Sequence, residues 1–383
     1  MKVSILTNFP FPNGKATANR IKVIAEKLID NSKVEFVEIF CCSNEDSHSY
    51  MLNDSIQITN LKINTVNKNK FFIRAINELI LAFRLYGKMQ KSKSDLTIIT
   101  VPSLFLLVPL IFKPIKNIVA IDVRDAVWTY FGNGFLSDTV SKLMVKIFYL
   151  ASKSSKIISV TNVAEYEEIK DITGRSSIVV ANGISKARLN EMQSIICSPQ
   201  SKNINLAYIG NVGIAQEIDQ LLDFSRKIDD LKIKIIGDGA KLLDLKHKCI
   251  AEKIDNVIFT GFVPHEKISK HLKDVDILFA QIGAKYRTAV PTKIFEYIAS
   301  GRKVLLGLPK GPAKEIFSKF YGVEIFDAGD ESGFIQSYNK LVAYDLSIEN
   351  KQKNIDKLRN YHLREENAKV LVDSIMALNI TKY

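Results

Sequence analysis

The sequence predicts an α/β protein of two doubly wound domains, each built on a parallel sheet. Short Ile- and Val-rich runs alternate with longer amphipathic runs along almost the whole chain. That alternation starts afresh near residue 204, and a length of 383 residues suits two α/β cores better than one.

Expected strands of the first domain are Val3–Leu6, Val34–Phe40, Leu96–Val101, Ile118–Ile121, Lys156–Val160 and Ser177–Val180, with helices at Thr17–Asp30, Phe72–Lys91, Leu136–Ala151 and Asn162–Ile172. The strands lack strict alternation, as strands covered on both faces should. The second set of strands is Asn205–Ile209, Lys232–Ile236, Asn256–Phe259, Ile277–Phe279, Lys303–Leu306 and Glu324–Phe326. Helices are expected at Glu217–Ile228, Ala240–Glu252, Glu266–Lys273, Thr292–Ser300, Ala313–Phe320 and Glu331–Tyr344. Residues 185–203 are polar and contain Ser198-Pro199-Gln200-Ser201, so they read as a linker. The expected domains are therefore 1–184 and 204–364, with a helix at about 365–383 packing back on the first.

A net charge of +12 suits anionic partners, or reflects general lysine richness. Cys41, Cys42, Cys197 and Cys249 show neither disulfide nor zinc spacing, which fits a reducing compartment. Met1-Lys2-Val3-Ser4-Ile5-Leu6 reads as a strand rather than a targeting segment, and a cytoplasmic protein is expected. The apolar run 101–112 is broken by Pro102 and Pro109 and falls short of the roughly 20 residues of a membrane span.

Loops after strands carry the candidate chemistry. After the first strand, Gly14 permits close backbone approach, with Lys15 and Arg20 adding positive charge. Asp122-Val123-Arg124-Asp125 ends an apolar strand, where unpaired charge would be costly. In the second domain, Gly210-Asn211-Val212-Gly213 and Gly237-Asp238-Gly239-Ala240-Lys241 each stand between strand and helix, as phosphate-holding turns do. Neither follows the dinucleotide-binding glycine fingerprint. The apolar loop at Phe262-Val263 could hold a nucleobase.

The most informative stretch runs from Tyr286-Arg287-Thr288 through Pro291-Thr292-Lys293 to Glu296 and Gly301. Thr292 is placed as an N-cap and Gly301 as the helix end. Lys293 and Glu296, three apart, share a helix face. The lysine suits a phosphate and the glutamate a pair of vicinal hydroxyls; the bland alternative is a surface ion pair.

Taken in order, Tyr208-Ile209-Gly210-Asn211, Ile236-Gly237-Asp238-Gly239, Phe259-Thr260-Gly261-Phe262-Val263-Pro264 and Pro291-Thr292-Lys293-Ile294-Phe295-Glu296 resemble glycosyltransferase family 4. Ala181-Asn182-Gly183-Ile184 and the segment from Asp122 to Trp128 fit the same pattern, closest to bacterial O-antigen and capsule transferases of the N-acetylfucosaminyl type. The resemblance implies a GT-B fold, two Rossmann-like domains facing across a cleft, and sugar transfer from a nucleoside diphosphate with retention at the anomeric carbon. It implies a front-face displacement in which the leaving diphosphate takes the acceptor's proton. Glu296 would bind the donor ribose, with Lys293 and the backbone near Thr292 beside the diphosphate. Phe262 and Val263 would flank the base, Gly14 would approach the phosphate or sugar, and Asp125, beside Arg124, would lie near the reacting centre. Two departures stand out. Thr288 replaces the first of two glutamates separated by seven residues, and Asn211 and Gln216 stand near an expected Arg and Lys; Lys285, Arg287 and Lys293 are offered as substitutes.

The donor is expected to be a UDP-sugar, with no metal or other cofactor. A basic segment at 62–116, with ten cations (Lys62, Lys68, Lys70, Arg74, Arg84, Lys88, Lys91, Lys93, Lys113, Lys116) against Glu78 and Asp95, suggests contact with an anionic membrane surface and a polyprenyl-diphosphate-linked saccharide acceptor. A nucleotide-sugar epimerase of the same architecture and a non-enzymatic anion-binding protein are the rival readings. Nucleic acid is disfavoured, since aromatic residues do not interleave with the basic run.

Overall fold

A computed structural model of the chain describes residues 1–12, 16–63, 71–131, 134–195 and 203–378. They form two compact units, Met1–Asn182 with Arg364–Tyr383, and Gly183–Leu363. The chain runs β1 (Lys2–Leu6), α1 (Ala16–Ile29), β2 (Phe36–Ser43), β3 (His48–Asn53), β4 (Ile56–Lys62), α2 (Phe71–Lys91), β5 (Leu96–Val101), α3 (Val108–Phe112), β6 (Ile118–Val123), α4 (Phe135–Ser152), β7 (Ile157–Val160), α5 (Val163–Thr173) and β8 (Ile178–Val179). It continues with α6 (Lys186–Gln193), β9 (Ile204–Ile209), α7 (Ile218–Ser225), β10 (Leu231–Ile236), α8 (Leu242–Ala251), β11 (Val257–Gly261), α9 (Ile268–His271) and β12 (Ile277–Gln281). The last elements are α10 (Lys293–Ala299), β13 (Lys303–Gly307), α11 (Pro312–Phe317), β14 (Val323–Phe326), α12 (Glu331–Ala343), α13 (Ile348–Tyr361) and α14 (Arg364–Met376).

The first unit is an eight-stranded sheet in the order β3-β4-β2-β1-β5-β6-β7-β8. Alternate residues of each strand feed opposite faces. Leu6, Ile99, Val101, Ile121 and Val123 join Leu81, Leu85 and Phe148 on one side. Val3, Ile5, Ile39, Ile98 and Ala120 meet Ile21, Ile24, Leu371 and Ile375 on the other, so α14 packs with α1. The sheet is not wholly parallel as expected: β3 runs antiparallel to β4. Its turn is made by Asn53, whose Oδ1 accepts the N–H groups of Ser55 and Ile56. An antiparallel edge strand is common on sheets of this kind.

The second unit is a six-stranded parallel sheet, β11-β10-β9-β12-β13-β14. Helices α9 to α11 and α6 pack on the face bearing Ala207, Ile209, Leu278 and Leu306. Helices α7, α8 and α12 cover the face bearing Leu206, Tyr208, Ile235 and Phe279. The stretch 185–203, expected as a connector, carries α6 within this unit, capped by Ser185 through its hydroxyl. Strand order reverses between β1 and β5 in one unit and between β9 and β12 in the other; ligands of open parallel sheets bind beyond the carboxyl ends at such points.

Loop glycines set the close approach of the strand ends in the second unit. Gly237 has φ 149°, and a Cβ there would stand 1.8 Å from the Gly210 carbonyl oxygen. A Cβ on Gly239 would stand 2.3 Å from the Val212 oxygen. Gly237→Ala is therefore expected to destabilise the protein by at least about 2 kcal/mol. Gly87→Ala, in α2 with open space around it, should stabilise by roughly 0.5–1 kcal/mol. Urea titrations of both variants check the contrast.

Candidate functional site

The switch point of the second unit is anchored by Tyr297. Its ring is buried within α10, and its hydroxyl accepts the Ile209 N–H at 2.9 Å and donates to the Ile209 carbonyl at 2.8 Å. Helix α10 is thus tied to the last residue of β9. One turn earlier on the same helix lies Lys293, and beside Tyr297 lies Glu296. Gly301, at φ 68°, follows the helix as expected, whereas Thr292 makes no side-chain cap hydrogen bond.

Glu296 is neither a surface residue nor half of a Lys293 pair. Its Oε2 accepts Arg188 Nε at 2.9 Å, and its side chain is 17% exposed. Burial pulls the Lys293 ammonium below its ordinary pKa; Glu296 opposes that shift and the Arg188 charge adds to it. Two cations and a carboxylate are therefore gathered at one end of α10. Arg188, on α6, had no motif to announce it.

The loop after β9 closes on itself. Gln216 Oε1 accepts the Gly213 N–H at 3.2 Å and the Asn211 amide at 3.5 Å, and Tyr208 donates to the Asn211 carbonyl at 2.7 Å. The residues standing where cations were expected are thus spent on shaping the turn. The loop after β10 hydrogen-bonds to it: Val212 N–H to the Asp238 carbonyl and Lys241 N–H to the Val212 carbonyl. Glycine at 237 and 239 is required by this backbone contact. Asp238 takes the Gly239 N–H, and the Lys241 ammonium is paired with Asp244 at 2.8 Å on the surface. Phe262 is 74% exposed, while Val263 packs against the core beside it. Pro291 and Thr292 are half-buried, Thr288 is buried, and Lys285 and Arg287 are exposed on the turn before them.

In the first unit, Gly14 and Lys15 lie outside the described residues. Arg20 does not serve as a free anion-binding charge. It is 4% exposed; its Nε and Nη2 fork onto Asp122 at 3.0 and 2.7 Å, and Nη1 donates to the Val180 carbonyl. Ser159 donates to the same Asp122 at 2.6 Å. Past this buried pair, Arg124 is 8% exposed and its Nε has no hydrogen-bond partner among the described residues. Burial, reinforced by the Arg20 charge, lowers its pKa. Asp125 accepts the Tyr130 hydroxyl at 3.0 Å, and burial raises its pKa. Trp128 is buried and donates to Glu168 at 2.9 Å, so it is structural.

Sequence reasoning also missed Glu165. This fully buried carboxyl accepts the Thr161 N–H and hydroxyl, both at 2.8 Å, and the Ala126 N–H at 3.3 Å, which fixes the residue next to Asp125. Burial pushes its pKa up to about 8, with the Asp125 charge contributing. A glutamate three residues past the helix N-cap was the only sign in the sequence.

Residues 197–358 match a family model described as "Glycosyl transferases group 1". No curated protein matches the chain. Among solved structures, a sucrose-phosphate synthase from Thermosynechococcus elongatus is similar at 10% identity and TM-score 0.77, with 98% of each chain covered. Anabaena HepE, solved with UDP and glucose, is similar at 11% identity and TM-score 0.69, covering 99% of this chain and 100% of the other. WaaG, a glycosyltransferase involved in lipopolysaccharide biosynthesis, is similar at 12% identity and TM-score 0.64, covering 96% and 99%. The fold is that of the GT-B transferases. With the domain matched in its second half, the chain is an enzyme of glycosyl transfer.

Glu165 supplies a pH test. The folded chain holds its proton up to about pH 8, whereas an ordinary glutamate releases it near 4.5. The stability this proton confers is complete below 4.5 and drains away as pH rises towards 8. Melting temperatures of wild type and Glu165→Gln at pH 5 and pH 8.5 should show the variant gaining relative to wild type at the higher pH. An unchanged difference refutes the assignment.

Proposed function

We propose that this enzyme moves a sugar from a nucleoside diphosphate donor, a UDP-sugar in the favoured reading and an N-acetylated deoxysugar in the narrowest, to a saccharide acceptor carried on a polyprenyl diphosphate. The product would enter a bacterial surface polysaccharide, of O-antigen or capsule type. One observation carries the donor half: Lys293 and Glu296 stand together, with Arg188, beside the strand-order reversal of a unit that matches a glycosyltransferase model.

The chemistry follows from those side chains. An ammonium held in a partly buried setting favours a phosphate oxygen strongly, because attraction grows as water is removed. A carboxylate can accept hydrogen bonds from both hydroxyls of a ribose. As the sugar–phosphate bond breaks, negative charge collects on the departing diphosphate, and Lys293 would stabilise it there with no metal ion in the reading. Arg287 and Lys285 are placed on the preceding turn to assist. In the first unit, Asp125 and Arg124 would meet the reacting sugar or the acceptor; the reaction would retain the donor's anomeric configuration.

Acceptor-dependent release of nucleoside diphosphate from a panel of UDP-, GDP- and dTDP-sugars tests this directly, and release without any acceptor product favours the epimerase instead. Lys293→Ala should lower kcat/KM for the donor roughly ten- to hundredfold, with Lys293→Arg recovering part of it. An unchanged kcat/KM for the donor in Lys293→Ala removes the lysine from the site.

The membrane half of the proposal rests on α2. Ile73, Ile76, Ile80 and Phe83, each at least 45% exposed, form a stripe at helical spacing. Lys88 and Lys91 extend its basic end, while Arg74 is paired with Glu78 and Lys62 with Asp46. Lys68 and Lys70 lie outside the described residues. Among the described residues no helix is long and apolar enough to cross a membrane. An apolar stripe bordered by lysine suits the surface of an anionic leaflet. Flotation with vesicles containing phosphatidylglycerol should carry the protein, and Ile76→Asp together with Ile80→Asp should abolish it. Flotation equal with neutral vesicles, or unaffected by both changes, overturns this half.

A further inference from the structure

Arg188 is more than a tie between two helices. Leu189 and Met192 of α6 already share a buried apolar cluster with Phe295 and Ile298 of α10. Adhesion did not need a guanidinium that is only 6% exposed, and burying one is costly unless its charge is well met. Its charge is met in one direction by Glu296 through Nε at 2.9 Å and in another by Glu191, 2.7 Å from Nη1. Neither Nη1, for all its nearness to Glu191, nor Nη2 makes a hydrogen bond among the described residues.

The consequence lies with Lys293. Placed three residues before Glu296, it is the natural local partner for that carboxylate. Yet it makes no ion pair among the described residues, because Arg188 has taken Glu296 from the other side. We propose that Arg188 is the positioning residue of the donor site: it holds Glu296 away from Lys293, so that the carboxylate can read a ribose diol while the ammonium stays open to phosphate. The inference rests on the reading of Glu296 as the ribose ligand. It makes the enzyme selective for ribonucleoside over 2′-deoxyribonucleoside diphosphates. In the absence of Arg188, Glu296 collapses onto Lys293 and both functions fail together.

Binding of UDP and of 2′-deoxy-UDP by calorimetry tests this without knowledge of sugar or acceptor. Wild type should prefer UDP by roughly tenfold or more. Arg188→Ala should weaken both ligands about tenfold and leave a preference under about twofold, while Arg188→Lys keeps part of it. The distinguishing result is the double variant. Arg188→Ala with Glu296→Ala frees Lys293 again, so it should bind 2′-deoxy-UDP more tightly than Arg188→Ala alone. A purely structural arginine predicts the reverse, with the double variant no better than the single and the preference retained; that result overturns the proposal. Arg188→Gln, close in shape, gives the same test if the alanine variant fails to fold. Should wild type bind both nucleotides equally, and Glu296→Ala change neither, the ribose reading of Glu296 falls and takes this inference with it. A wild-type preference that Glu296→Ala removes and Arg188→Ala preserves refutes the role of Arg188 alone.

Discussion

Everything at the second unit's functional end depends on two hydrogen bonds made by one phenol. Tyr297 spends its hydroxyl on the N–H and the carbonyl of Ile209, the last residue of β9. A strand end would otherwise leave those groups to water or to a loop. By satisfying them from α10, the chain fixes the helix that carries Lys293 and Glu296 against the strand from which the next loop departs. Buried hydrogen bonds of this kind contribute about 1 kcal/mol each, but an unmet partner costs more. The arrangement therefore tolerates little drift in a helix only seven residues long.

The loops around that helix are held by backbone rather than by charge. Gly237 and Gly239 let the turns after β9 and β10 touch, and Gln216 closes the first of them. This changes the meaning of the glycines. In the sequence they look like an open cradle for phosphate; in the fold their missing side chains make room for the neighbouring turn. In the proposed donor site the cationic duty falls on the side chains near α10. The first unit has the opposite economy. Its strand ends carry real charges, and most are already satisfied internally: Arg20 and Ser159 on Asp122, Tyr130 on Asp125, and the N–H groups of Thr161 and Ala126 on Glu165.

Much of the architecture was legible because parallel strands buried on two faces leave a plain signature. Leu96–Val101 was read to the residue, and the six strands of the second unit were all found within three residues at either end. The β3–β4 hairpin was not read, since β3 is exposed at every position but Tyr50 and so carries no alternation of apolar and polar residues. The short helix α6 was hidden for a related reason: its sequence, Lys186 to Gln193, is mostly polar, and only Arg188, Leu189 and Met192 turn inward. Helix-end residues such as Glu296 could be picked out by local spacing. Their partners could not.

That difference has a physical basis. Arg20 reaches Asp122 across 102 residues of chain, and Arg188 reaches Glu296 across 108. Local pattern reports which face of an element is apolar; it is silent on which distant side chain will neutralise a buried charge. Reading Arg20 as an open cation failed for this reason, and Arg188 was overlooked for it. In both cases an arginine, with its planar fork and persistent charge, spans from a helix to a carboxylate drawn largely out of bulk water. One such pair is closed on all sides and serves the fold: Asp122 is saturated by Arg20 and Ser159 and is 1% exposed. The other leaves both terminal nitrogens of Arg188 without a hydrogen bond among the described residues and a carboxylate still 17% exposed. A charge pair built for stability alone would be expected to complete its hydrogen bonds, as the first one does, because each buried donor left unmet is a cost with no return. Under the proposed donor site, the incompleteness of the second pair is thus the feature that separates a site from a strut.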